Sequence, residues 1–331
     1  MMYRTLLSCC IAVFLWMMTA APANAQPAHA TDSLLSVALF RTIREGNPAK
    51  LDSLLKKGAS ANAILGDYSA LMAAALNGTA GEMSVLIDHG ANVNYYNRDS
   101  ISALWLAVPD MEKAKLLINK GADVSWRSRE GNTVLVKLAG IPGSAALMQL
   151  LISKGCDPRK GGLANDMMYN AASSCDTSVV GLLIRNGVSV NDTSSIGDYP
   201  LNSAINYRCF NTLKMLVENG ADVNARPKHA ILPLLAGITP LMWAAVSNDK
   251  ASFYYLLQHG ADATTTSPGG YTTLMFLAMS EQDDPAMTMA LIEHGAKPAV
   301  KALDETDALY HARLRGNTKS VEILSALVSK K

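Results

Sequence analysis

Histidines are the residues in this chain most able to do chemistry, and the six of them are widely scattered over its 331 residues. His89, His259 and His294 each stand directly before a glycine. That place is typical of a helix C-terminus, where the ring can bond backbone carbonyls and meet the negative end of the helix dipole. The sequence contains no HExxH, Gly-x-Ser-x-Gly, phosphate-loop or Cys-x-x-Cys motif. We therefore predict no catalytic residue, no metal site and no cofactor, and we expect a protein that is not an enzyme.

The first 25 residues have the organisation of an export signal. Arg4 precedes an apolar run from Leu6 to Met18, and the sequence Ala-Asn-Ala at 23–25 provides a cleavage site. We predict a signal peptide over 1–25 and a disordered mature N-terminus over 26–32. The apolar run is shorter than the roughly 20 residues of a membrane-spanning helix, and an uncleaved anchor is the alternative. Export would place the protein in the periplasm of a Gram-negative bacterium or outside the cell.

The composition describes a folded chain with balanced charge. Hydrophobic residues make up 49% and charged residues 17%, with 29 Lys and Arg against 28 Asp and Glu. Loss of Arg4 with the signal peptide makes the two numbers equal. This apolar fraction excludes a disordered chain, and the lack of a basic excess argues against a nucleic-acid binder.

Eight glycines recur along the rest of the chain. Seven intervals separate them, six of 31–35 residues and one of 40. The positions four and three residues before each glycine are aliphatic, and the position seven before it is usually apolar. This spacing predicts one face of an α-helix, which the glycine then ends in a left-handed conformation. The glycines are Gly58, Gly90, Gly121, Gly155, Gly187, Gly220, Gly260 and Gly295.

A second motif lies about 19 residues before each glycine, for example SALMAAA at 69–75 and TPLMWAA at 239–245. Ser or Thr would cap a first, shorter helix, and Pro is tolerated in its first turn. Two helices and a turn every 33 residues or so resemble the ankyrin-repeat family. The segment GADVNA at 220–225 supports this resemblance. It implies an all-α ankyrin-repeat solenoid of about nine helix-turn-helix units, in one continuous array over 33–331.

The ends and one position depart from the family pattern. The N-terminal unit near 33–63 and the C-terminal unit over 304–331 are expected to be caps. The histidine that follows Pro-Leu in the family is absent, so we expect apolar packing to replace its hydrogen bonds. Its place is taken by Met72, Trp105, Tyr169, Asn202, Met242, Met275 and Tyr310.

Three cysteines remain after the predicted cleavage. Cys175 and Cys209 fall in the turns between the two helices of adjacent repeats, and Cys156 is expected to be a buried thiol. The resemblance implies that equivalent atoms of stacked repeats lie about 10 Å apart, beyond the Cα limit for a disulfide, but the one-residue offset of the two cysteines could close the gap. An oxidising compartment favours a bridge. We predict a Cys175–Cys209 disulfide, with two reduced thiols as the alternative.

The segment from each glycine to the next capping residue would project as a finger. The fingers vary in sequence while the helix stripes do not, which is typical of a scaffold that carries variable contacts. Two consecutive fingers concentrate Tyr, Trp and Arg, the residues most enriched in binding hot spots. The predicted partner contacts are Tyr95, Tyr96, Arg98, Trp126, Arg127 and Arg129. The alternative is that Tyr95 and Trp126, at a position where the family prefers Ala, pack sideways between fingers.

One finger, over 225–237, is longer than the others by about seven residues. It contains an apolar cluster that is either a further partner contact or folds back onto neighbouring repeats. The cluster consists of Ile231, Leu232, Leu234 and Leu235.

These observations predict a monomeric protein–protein interaction module in the periplasm. The resemblance to the ankyrin-repeat family implies that it binds a protein partner through a concave face of fingers and helices. No nucleic acid is expected as a partner, and no membrane contact after signal cleavage. The alternatives are an immunity or inhibitor protein that neutralises an exported toxin, a secreted effector directed at a host, and an enzyme with a site between fingers.

Overall fold

The computed structural model describes residues 27–160, 164–227 and 237–329. The predicted signal peptide and the apolar cluster Ile231, Leu232, Leu234 and Leu235 lie outside the described residues. Within the described ranges eighteen helices form nine consecutive pairs, which we call repeats 1–9. This confirms the predicted all-α architecture of about nine helix-turn-helix units.

The helices fall into two compact units, which meet in the sequence at Arg129 and Glu130. The continuity of the array across that point stays a prediction. Repeats 1–3 form the first unit, with α1 Pro27–Glu45, α2 Pro48–Lys56, β1 Ile64–Leu65, β2 Tyr68–Ser69, α3 Ala70–Asn77, α4 Ala80–Asp88, α5 Ala103–Ala107 and α6 Met111–Asn119.

The second unit contains repeats 4–9. Its helices are α7 Val134–Ala139, α8 Ala145–Ser153, α9 Ala164–Ser173, α10 Thr177–Arg185, α11 Pro200–Asn206, α12 Phe210–Glu218, α13 Pro240–Val246, α14 Lys250–Gln258, α15 Thr273–Ala278, α16 Pro285–Glu293, α17 Ala308–Arg315 and α18 Thr318–Val328.

Helix α1 begins at Pro27 and so includes residues 27–32, contrary to the disordered segment expected there. Proline fits the first turn of a helix because its φ angle is already helical and its missing N–H has no partner there. Alanines follow it at 28 and 30 and favour the helix.

The eight repeat glycines end the second helix of repeats 1–8, as predicted. All have positive φ, between 76° and 101°. In repeat 2 the N–H of Gly90 donates to the carbonyl of Ile87, and the N–H of Ala91 donates to that of Leu86. These bonds satisfy carbonyls that the helix end would otherwise leave unpaired. The aliphatic position four residues before the glycine is fully buried in seven repeats: Leu86, Leu117, Leu151, Leu183, Leu216, Leu256 and Leu291.

Hydroxyl side chains cap the first helices of several repeats. Ser69, Ser102 and Thr239 each accept a hydrogen bond from the backbone N–H three residues on, whereas Thr133 makes no such bond. At the place of the family histidine, methionines are fully buried, which is the expected apolar packing: Met72, Met242 and Met275. The expectation is wrong for two residues there. Asn202 is buried and its amide donates to Asp198, and Tyr310 is 52% exposed.

Three of the described fingers contain short antiparallel pairings. In the first, Ile64 pairs with Ser69 and Leu65 with Tyr68. Single antiparallel bridges close two others, between Tyr96 and Ser102 and between Thr266 and Thr272. These three fingers are therefore held at their base, where each meets the capping residue of the following helix.

Candidate partner-binding surface

The structure brings together one aromatic side chain from each of the two fingers singled out in the sequence. The rings of Tyr96 and Trp126 are stacked, with centroids 3.9 Å apart and planes 19° from parallel. Tyr96 is 48% exposed, and Trp126 is half-buried. Because one ring covers the other, the pair presents a single flat aromatic surface whose side chains have little freedom left to lose on binding.

Backbone and side-chain hydrogen bonds fix this stack. The indole Nε1 of Trp126 donates to the carbonyl of Ser100 at 2.8 Å. Ser100 itself lies in a tight turn with φ of 57°. That turn is organised by the buried Asn97, whose Oδ1 accepts from the N–H of Asp99 and of Ile101. One finger thus holds the tryptophan of the next.

Three exposed arginines lie close in sequence to the two stacked residues. The side chain of Arg98 is 93% exposed, with its Nε 3.8 Å from a carboxylate oxygen of Asp67. Arg127 and Arg129 are exposed, and neither forms an ion pair within the part of the chain that the structure describes. We call Tyr96, Trp126, Arg98, Arg127 and Arg129 the finger surface. It joins a rigid aromatic area to guanidinium groups that can bond a partner's carboxylates.

A pocket of about 180 Å³ lies beside the stack. Tyr96 and Trp126 form part of its wall, and Val93, Leu104 and Ala122 supply apolar lining. The pocket is large enough for one side chain of a bound protein, next to an aromatic area that would exclude water around it.

Tyr95 is not part of the stack and is half-buried. Sideways packing between fingers was the alternative for Tyr95 and Trp126. Trp126 does pack in this way, because its ring lies against Tyr96 of the neighbouring finger. The contact leaves both rings partly exposed, so it does not remove them from a binding surface. The long finger was predicted to contribute an apolar cluster to partner binding, and that cluster lies outside the described residues.

The cysteines of repeats 5 and 6 are bonded, with the Cα atoms of Cys175 and Cys209 4.9 Å apart. This is the predicted pairing. Cys175 is exposed and Cys209 is buried, so the bridge joins the surface of one inter-helix turn to the interior of the next. Cys156 lies outside the bridge and is buried, as expected.

The histidines before the glycines behave as helix-end residues. Nδ1 of His259 bonds the carbonyl of Tyr255 at 2.7 Å, and Nδ1 of His294 bonds that of Ala290 at 2.8 Å. His89 instead bonds the carboxylate of Asp52 through Nε2, which connects repeats 1 and 2. The described ranges contain no group of three or more His, Cys, Asp or Glu side chains placed to hold a metal ion.

Sequence reasoning missed three titratable residues, in or just before the first helices of repeats 4–6, whose pKa is shifted by burial. Burial raises the pKa of Tyr169 to about 12 and also raises the pKa of Asp198, whose carboxylate accepts from Asn202. In repeat 4, burial lowers the pKa of Lys137 to about 8. The only signal in the sequence is a lysine in the otherwise apolar segment 134–139.

In the part of the chain that is described, no helix combines the length and the apolar character that a membrane crossing requires.

The fold defines a helical repeat protein in which fingers connect successive helix pairs. The family profile described as ankyrin repeats (3 copies) matches residues 39–128, 135–227, 168–267 and 241–330. The chain therefore belongs to the ankyrin-repeat family, whose repeats are generally protein–protein interaction modules.

Three curated relatives show the same repeats. Ankyrin repeat and SOCS box protein 6 of Homo sapiens is 30% identical over 211 residues, covering 60% of this chain and 46% of the relative. Ankyrin repeat and SOCS box protein 16 of Homo sapiens is 24% identical, covering 74% and 49%. Ankyrin repeat and KH domain-containing protein mask-1 of Caenorhabditis elegans is 24% identical, covering 88% and 11%. The chain thus spans less than half the length of each of these relatives.

Proposed function

We propose that this chain is a non-enzymatic, monomeric module that binds a protein partner in the periplasm through the finger surface. The observation that supports this most is the stack of Tyr96 on Trp126, anchored by the Trp126–Ser100 hydrogen bond. Rigid aromatic groups flanked by arginine are the usual energetic centre of a protein interface. Binding to them costs little side-chain entropy because the rings are already ordered.

The proposed location rests on two features. Residues 1–25 have the sequence of a cleavable export signal. The Cys175–Cys209 disulfide is of the kind that persists in oxidising compartments and is rare in the cytoplasm. Fractionation of producing cells, followed by intact-mass measurement, tests the location. We expect a periplasmic chain that begins at Gln26 and carries one disulfide. A cytoplasmic chain that retains Arg4 and has reduced cysteines would contradict it.

The binding surface is tested by site-specific photo-crosslinking in living cells. A benzoylphenylalanine at the exposed Arg127 should give one dominant protein adduct, whereas the same group at the exposed Arg185 of α10 should not. The Arg127 adduct should weaken at least tenfold in the Tyr96→Ala variant. Equal adducts from both positions, or an adduct indifferent to Tyr96, would show that the finger surface is not the binding site.

A further inference from the structure

A cavity of about 80 Å³ lies between the first helices of repeats 1 and 2, where α1 packs against α3. Its wall is mostly apolar, with Val37, Phe40 and Ile43 from α1 and Ala73 from α3. Phe40 and Ile43 are buried, whereas Val37 is 42% exposed. The apolar wall therefore extends from the interior of the protein to its surface.

The small side chain of Ala73 explains why this space is open. Ala73 is the fourth residue after the capping Ser69, and three other repeats have a larger side chain at that place: Leu106, Trp243 and Phe276. A volume of this size holds about five water molecules at roughly 15 Å³ each, and an alkyl chain of about five carbons occupies a similar space. Cavities with apolar walls bind apolar groups in preference to water.

Two guanidinium groups stand beside the apolar wall. Arg41 and Arg44 both line the cavity, are exposed, and form no ion pair within the described ranges. None of the described residues that line the cavity is acidic. Glu45, which follows Arg44, is already bonded to Lys50 at 2.7 Å. Residues three apart on a helix are neighbours, so the two arginines repel each other, and a bound anion would offset this repulsion.

We propose that this cavity binds a small amphiphilic carboxylate, with its alkyl chain of about five carbons against the apolar wall and its carboxylate between Arg41 and Arg44. The wall removes methylene groups from water, and the guanidinium groups donate hydrogen bonds to the carboxylate oxygens. This inference goes beyond the proposed function, because the site uses no residue of the finger surface and needs no protein partner.

Titration of the full chain with straight-chain carboxylates, followed by NMR of labelled Ile and Val methyl groups, tests the proposal. The methyl signals of Val37 and Ile43 should shift when hexanoate is added. Each methylene added between butanoate and hexanoate should tighten binding about fourfold, and decanoate should gain less than about twofold over octanoate because the cavity is then full. Hexanol, which has no charge, should bind about tenfold more weakly than hexanoate.

Three variants separate the contributions of the wall and of the arginines. Ala73→Leu fills the cavity and should weaken hexanoate binding about tenfold, and circular dichroism checks its fold. Arg41→Gln/Arg44→Gln should bind hexanoate and hexanol equally. Arg313→Gln/Arg315→Gln removes the same charge from exposed residues of α17 and should bind hexanoate like the parent. The arginine variants change exposed side chains, so they still decide the outcome if Ala73→Leu does not fold.

Four results would each overturn the proposal. Millimolar hexanoate that shifts neither Val37 nor Ile43 would show that the cavity does not take the ligand. Equal affinity for hexanoate and hexylammonium would show that the guanidinium groups do not select it. Hexanoate binding that is unchanged in Arg41→Gln/Arg44→Gln would place the ligand elsewhere. Binding to phosphatidylglycerol vesicles without binding to the free carboxylates would assign the two arginines to a lipid surface instead.

Discussion

The side chain of Asn224 connects its own finger to the next repeat by two hydrogen bonds. Its amide donates to the carbonyl of Gly260 at 3.0 Å, and its Oδ1 accepts from the N–H of Asp262 at 2.8 Å. The same pair of bonds is made by the asparagine four residues after the repeat glycine in three other repeats: Asn62, Asn94 and Asn191. These bonds connect neighbouring repeats at the base of the fingers.

Replacing Asn224 by Ala should lower the free energy of unfolding by about 1–2 kcal/mol, because two hydrogen bonds are lost and a backbone N–H and a carbonyl lose their partner. Urea denaturation followed by circular dichroism measures this. Thr264 is the matched control, since it occupies the same place in the next finger and bonds only within that finger, to Asp262. Thr264→Ala should lower the free energy of unfolding by clearly less than Asn224→Ala does. Equal losses in the two variants would show that the link between repeats contributes nothing.

The Cys175–Cys209 bridge should stabilise repeats 5 and 6. The residues are 34 apart in sequence, and in the chain-entropy model a loop of that size contributes about 3–4 kcal/mol. We expect reductant to lower the urea midpoint of the parent chain and to leave that of Cys175→Ser/Cys209→Ser unchanged. A parent midpoint that does not respond to reductant, once thiol titration has shown the bridge open, would contradict this.

Much of the fold is predictable from positions that repeat. The glycines mark helix ends because only a left-handed residue fits there, and the aliphatic stripe must be buried, as Leu86 and Leu256 are. The pairing of Cys175 with Cys209 could be predicted because both lie in the same turn of adjacent repeats. Each of these inferences needs only the period of the chain.

Features that depend on exact geometry between neighbours could not be predicted. Tyr95 and Trp126 occupy equivalent positions, yet Trp126 stacks on Tyr96, because the contact depends on how one finger is offset against the next. The hydrogen bonds that these asparagines make between repeats have a trace in the sequence, because Asn recurs four residues after the repeat glycine. A pattern of apolar residues does not reveal this recurrence, because the residue is polar. Asp283 and Asp284, adjacent acids in the turn after α15, are bonded to Ser320 and Lys250, and no local pattern indicates such partners.

His311 should make the C-terminal repeats less stable in mild acid. Burial lowers the pKa of His311, and the nearby carboxylates of Asp304 and Asp307 oppose that shift only partly. The unfolded chain therefore binds the proton more readily, so stability is full above the unfolded pKa of about 6.5 and falls as pH decreases below it. Hydrogen bonds from Thr306 and Tyr271 lower the pKa of Asp304 to about 2, so Asp304 stays ionised in this range.

Thermal unfolding at pH 7 and pH 5 tests the role of His311. The parent chain should lose more stability between these values than His311→Gln, whose side chain does not titrate. His259→Gln is the matched control, because that ring is exposed at a helix end, and it should leave the difference between the two pH values as in the parent. An identical pH response of the parent and His311→Gln would show that His311 does not cause the loss of stability in mild acid.

Lys137 should react with amine reagents at an unusually low pH. Burial lowers its pKa to about 8, so about half of the side chain is neutral at pH 8, on the order of a hundredfold more than for a lysine with a pKa near 10.4. Acetic anhydride labelling across pH 6–11, with peptide mass mapping, should give a rate for Lys137 that levels off just above pH 8. Exposed Lys154 at the end of α8 is the internal reference for access to the reagent. A Lys137 rate that still climbs steeply above pH 10 would show that its amine is not desolvated.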